Sequence, residues 1–174
     1  MIIDDIFSKI AAHMIKGLMV HEQLSNYYDF LGLRSYSNDH EEHYILESKS
    51  FRNLNRYYMH HHNKLINDAR VENPGAIPSN WYGYLRSDVD IATKRNALKN
   101  GVDIWINWES DTVDLYSEMY RELIDISEVV DAEFIKNLLL DAQTELTNAK
   151  QLKLCLEAVD YDLEYVLQEE NYGK

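Results

Sequence analysis

A chain of 174 residues is long enough for one domain with a sizeable core and too short for two ordinary ones, so residues 1–174 are expected to form a single unit. Its 45% apolar residues and 13 tyrosines exclude a disordered chain, and a net charge of -13 argues against a basic face for DNA or RNA. Metal ions and other cations are the small partners such a charge favours, beside its plain effect on solubility. Cys155 is the only cysteine. An intrachain disulfide is therefore impossible, a reducing cytoplasm is the natural compartment, and Cys155 itself reads as a core residue. The opening MIIDDIFSK carries acids where a secretory signal carries bases, and no apolar run approaches the roughly 18 residues of a membrane span.

Taken in chain order, the periodicity predicts a first helix from about Asp4 to Leu33, with Ile10, Met14, Leu18, Tyr27 and Leu31 on one face. Gly32 and the polar SYSND stretch end it. A second helix is expected from Asp39 toward Leu65, capped by Asn38 or Asp39 and carrying Leu46, Phe51, Leu54 and Tyr58. ENPGAIPSNWYGY holds both prolines and divides the chain into two helical pairs. The third helix starts near Ser87 and Asp90 and runs to about Ile124, with an irregularity expected at Asn100-Gly101; the fourth covers Asp131 to Glu157, and the acidic tail adds a short fifth. Two short connections and one long one between four long helices describe an all-α bundle, up-down-down-up, with a crossover between the second and third helices.

Within that bundle several inward positions are polar. Val102, Trp105, Thr112, Tyr116, Met119 and Leu123 form one stripe, and Glu109 falls in its gap between Trp105 and Thr112. A carboxylate taken out of water costs several kcal/mol unless a proton, a partner or a metal compensates, so Glu109 calls for companions. Glu22 follows Leu18 on the first stripe, Glu47 precedes Phe51 on the second, and counting from the turn puts these two at similar heights; the fourth helix offers Asp141, Gln143 and Glu145. Carboxylates converging in one core repel each other, and bound cations are the usual remedy.

These segments resemble the ferritin-like superfamily, whose four-helix bundle holds two iron ions between carboxylates. HEQLSNYYDFL is similar to the first ferritin helix, NWYGYL with NALKNG to the crossover and third-helix start, and FIKNLLLDAQ to the fourth-helix segment in which a glutamine approaches the metals. Gln143 lies 34 residues after Glu109, as the likeness would have it. The resemblance covers nearly the whole chain. It implies a di-iron site on Glu22, Glu47, Glu109 and Gln143, Fe(II) oxidation as in ferritins, and assembly into a homo-oligomer.

One motif departs from the pattern. Where ferritin-like metal helices carry Glu-x-x-His, this chain has Glu47-Ser48-Lys49-Ser50, so either the site is weakened, a water substitutes, or His43, one turn earlier, supplies nitrogen from the other side. Lys49 could instead neutralise an acid. His21 with His43 and Glu47 would resemble a mini-ferritin site shared between subunits, whereas His60, His61 and His62 cannot share one helix face and read as surface residues. The alternative is a metal-free ferritin-like oligomeric or adaptor protein whose site has degenerated.

Overall fold

The computed structural model describes residues 2–66 and 89–172, with side chains to Leu167. Every regular element among them is helical: α1 (Ile2–Leu31), α2 (Arg34–His62), α3 (Ile91–Asp125), α4 (Val129–Ala158) and α5 (Leu163–Tyr172). The proline-bearing stretch expected to cross between α2 and α3, and Ser87 with it, lies outside the described residues.

Two of the connections have the same chemistry. At the end of α1, Gly32 sits at φ +82, its N–H donates to Asp29 O and the Leu33 N–H reaches back to Tyr28 O at 2.9 Å. This left-handed cap satisfies carbonyls that the helix end would leave open and buries Leu33 beside Leu31. At the end of α3 the pattern repeats, with Ser127 at φ 64 and Glu128 N–H on Leu123 O at 2.9 Å. Each cap turns the chain back on itself, giving the antiparallel pairs α1/α2 and α3/α4, which pack together through α1 and α3. Helix α3 starts at Asp90, whose side chain accepts the Thr93 N–H at 2.7 Å.

Three expectations need correction. The SYSND stretch is helical, so α2 begins at Arg34, well before Asp39. Ser, Asn and Asp favour turns, but tertiary packing overrides them: Tyr36 and His40 both pack on the Tyr28 ring, and Ser25 and Ser37 meet hydroxyl to hydroxyl at 3.2 Å. The expected irregularity at Asn100-Gly101 is an unbroken stretch of α3, where Gly101 makes room for Tyr28; a Cβ there would lie 2.8 Å from its Cζ. Cys155 is exposed on α4.

The core has two lobes. One surrounds Leu24, Tyr28, Leu98 and Val102 near the α1–α2 turn, with Tyr161, Leu163 and Val166 closing it. The other surrounds Phe7, Ile10, Leu54, Met119 and Ile135 toward the α3–α4 turn. No helix among the described residues is long and apolar enough to cross a membrane.

Candidate functional site

Between the two lobes, halfway along the bundle, lies a cavity of about 370 Å³. Met14 and His21 of α1, His43, Glu47 and Ser50 of α2, Glu109, Thr112 and Tyr116 of α3, and Asp141 and Glu145 of α4 line it. All four long helices contribute, because the α2 and α4 backbones stay apart there and only side chains, His43 and Glu145 among them, meet across the gap.

Glu109 faces inward as its stripe requires and is 4% exposed. Trp105 Nε1 donates to its Oε1 at 3.1 Å, and His21 Nε2 stands 3.6 Å from the same oxygen. His21 is itself buried, with Nδ1 3.0 Å from Nδ1 of the buried His40. One of these two nitrogens must carry the proton and the other accept it. Burial and the neighbouring imidazoles of His21 and His43 hold His40 well below the usual histidine range, so it stays neutral. It can then donate to His21, leaving the His21 Nε2–H to face Glu109.

Glu47 enters from α2 and reaches the backbone of α1 at Gly17. Its Oε2 is buried without a hydrogen-bond partner. Burial, then the nearby Glu109 charge, push this carboxyl well above the ordinary carboxylate range; the Trp108 indole N–H lies toward it and offsets the rise in part, short of a well-formed hydrogen bond. Glu145 of α4 completes the set. Its Oε2 is also buried and lies 3.4 Å from His43 Nδ1 without a hydrogen bond, and burial with the Glu109 charge raises its carboxyl as well. His43, desolvated and beside His21, is pushed down to about 4 and is a neutral donor.

Two of the expected residues are elsewhere. Glu22 is exposed on α1. The inward face of α1 passes through Met14, Gly17, His21 and Leu24, which leaves Leu18 half-buried and Glu22 outside. The earlier start of α2 moves the pairing as well: the facing pairs Phe7–Tyr57, Gly17–Glu47, His21–His43 and Tyr28–Tyr36 set a register in which Glu47 lies level with Gly17, more than a turn from Glu22. Gln143 is exposed too, one position off the inward stripe of Ile135, Ala142 and Ala149, and Glu145 takes the inward place at that level. Glu145 is as far beyond the α3–α4 turn as Glu109 is before it, a signal readable from the sequence once that turn is centred on Ser127. Lys49 stands exposed, and Ser50 is on the cavity wall.

The histidine run divides. His60 and His61 are exposed, while His62 turns in to Asp131 Oδ1 at 3.1 Å, beside the Tyr57 hydroxyl that donates to the same oxygen at 2.8 Å. His13 stacks on Trp108 with ring centroids 4.2 Å apart, and its Nε2 lies 2.7 Å from the Thr112 hydroxyl, which itself donates to Trp108 O. That bond leaves Thr112 as acceptor, so His13 donates and is held neutral by burial, its pKa down at about 4.

The donor set of the cavity, four carboxylates and two imidazoles, fits a divalent cation of borderline hardness, and the orphaned oxygens of Glu47 and Glu145 are the atoms a cation would satisfy. Among the described residues, no three His, Cys, Asp or Glu side chains converge to hold an ion in their present positions. No protein-family model matches the chain, and no curated protein matches it.

Proposed function

We propose that this chain is a ferritin-like bundle that takes up Fe(II) in its central cavity and oxidises it. The observation that carries the reading is the gathering of Glu47, Glu109 and Glu145 with His21 and His43 around one core cavity, two of the carboxylates having a buried oxygen with no hydrogen-bond partner. A core gains nothing from carboxyls in that state, which cost roughly 1–3 kcal/mol each for every unmet group. Cation binding removes the cost and supplies the charge that lets them ionise.

In this reading Glu47, Glu109 and Glu145 are the oxygen donors and His21 and His43 the nitrogen donors; Glu22 and Gln143 have no part. Trp105 fixes Glu109 by its indole N–H, and Glu47 gives up a proton as the substrate ion enters. Two Fe(II) ions would each release one electron, together reducing dioxygen to the peroxide level or peroxide to water. The negative side chains favour the Fe(III) product, and the opening between α2 and α4 admits ions and oxidant. Kinship with ferritins would also make the protein a homo-oligomer, read directly from its mass in solution.

A second reading keeps the bundle without the metal, as an oligomeric or adaptor module. The lack of three convergent donors among the described residues and the Ser50 in place of a histidine favour it. Anaerobic Fe(II) titration followed by air separates the two. The first expects saturation near about two equivalents and a ligand-to-metal absorption band after oxygen is admitted. Flat traces support the second.

A further inference from the structure

Along α1 the inward face runs Ile10, Met14, Gly17, His21 and Leu24, so the one place without a side chain is level with the cavity. A Cβ on Gly17 would lie 2.6 Å from Glu47 Oε1 and 2.8 Å from its Cδ, distances at which something has to move. The Glu47 carboxyl therefore rests on bare helix backbone. Its Oε2 is buried there with no hydrogen-bond partner, so hydrogen bonding does not account for its position. What the position provides is reach: Glu47 comes from α2, the most exposed of the long helices, to the level of the deeply buried Glu109 on the opposite side of the core.

We propose that Gly17 is a positioning residue of the cation site, its missing side chain forming the seat that lets the Glu47 carboxyl cross from α2 to within reach of the ion held by Glu109. This deepens the iron-binding reading and rests on it. A methyl group at position 17 would occupy the seat. The α1 and α3 backbones on either side are fixed by the two core lobes, so the flexible end of Glu47 is what yields, toward the opening between α2 and α4 and away from Glu109. Alanine is the better helix former, so the same change relieves the helix and empties the core of an unpartnered carboxyl. Stability and affinity should move in opposite directions, which a purely structural glycine would not produce.

The test is calorimetric titration of the full chain with Mn(II), a redox-silent stand-in, alongside thermal unfolding of the cation-free protein. Gly17→Ala is expected to weaken Mn(II) binding about tenfold or more, the usual effect of losing a residue that orients a ligand, with a midpoint of unfolding equal to or above that of the parent. Parent-like or tighter binding overturns the proposal. If Gly17→Ala fails to fold, Glu47→Asp decides: one methylene shorter, it cannot reach the seat, so a comparable loss of affinity supports the proposal and parent-like affinity overturns it. Saturable binding by the parent that these variants leave untouched sinks the seat alone, whereas no Mn(II) uptake by the parent sinks the metal reading and the seat with it.

Discussion

Helices α1 and α3 each bury a full face, from Ile6 to Leu31 and from Ala97 to Leu123, whereas α2 buries His40, Leu54 and Tyr58 along its whole length and α4 buries three alanines with Asp131, Ile135 and Leu156. Tyr44, Ile45 and Leu46 of α2 and Leu140 and Leu154 of α4 are exposed. The first pair of helices builds the core. The second pair leans on it and carries Glu47, His43 and Glu145 to the open side of the cavity, opposite Glu109 and His21 on the deep side. The core thus rests on α1 and α3 while the site draws on all four helices, so the open side of the cavity, on α2 and α4, is the part that can be perturbed with little effect on the core.

The largest expected effect tests that division. Leu98→Ala on α3 removes a fully buried side chain and should cost about 2–5 kcal/mol, while Leu46→Ala on the exposed face of α2 should stay within about 0.5 kcal/mol. Denaturant melts of both variants check it, and similar losses would erase the distinction between the two walls. Next in size is the cation effect. Mn(II) at about a hundredfold above its dissociation constant should stabilise the parent by about 2.7 kcal/mol, and Glu109→Ala should abolish that gain in thermal melts.

The deep wall was the more legible in the sequence. Trp105, Glu109, Thr112, Tyr116 and Met119 recur on one period, and the single carboxylate in that stripe had nowhere to go but inward. The shallow wall was less so, because α2 has few apolar anchors to fix its phase and its first turns, SYSND, are made of residues that prefer loops. An α2 start at Asp39 slides the α1/α2 register by more than a turn and pairs Glu22 with Glu47, which in fact meets Gly17. On α4 the alanine-rich stripe leaves Gln143 and Glu145 hard to tell apart by hydrophobicity, and only the α3–α4 turn distinguishes them. That turn closes on Ser127, where a glycine would have marked the left-handed position.

A smaller effect sharpens the contrast between the site and its scaffold. In the cation-free protein, Glu47→Gln should raise stability at neutral pH, since the folded parent must there bury a charge or take up a proton at Glu47 and a neutral amide does neither. Because the folded pKa of Glu47 is raised, the folded state holds a proton that the unfolded chain releases above 4.5, and parent stability falls as pH rises from there. The gain from Glu47→Gln should accordingly vanish below pH 4.5. His13 and His43 act in the opposite sense: with folded pKa values of about 4 against 6.5 unfolded, they cost stability as pH falls through that window. Thermal melts of parent and variant from pH 4 to 8 read both slopes. Smallest of all, Ser127→Gly should add about 0.5–1 kcal/mol by relieving a left-handed residue in the α3–α4 turn, without touching cation affinity.

Counting bound iron tests the central claim most directly. After anaerobic loading with excess Fe(II) and desalting, the parent should retain about two ions per chain and Glu109→Ala none. Equal iron in the two proteins, or none in either, would contradict a cation site built on the core carboxylates.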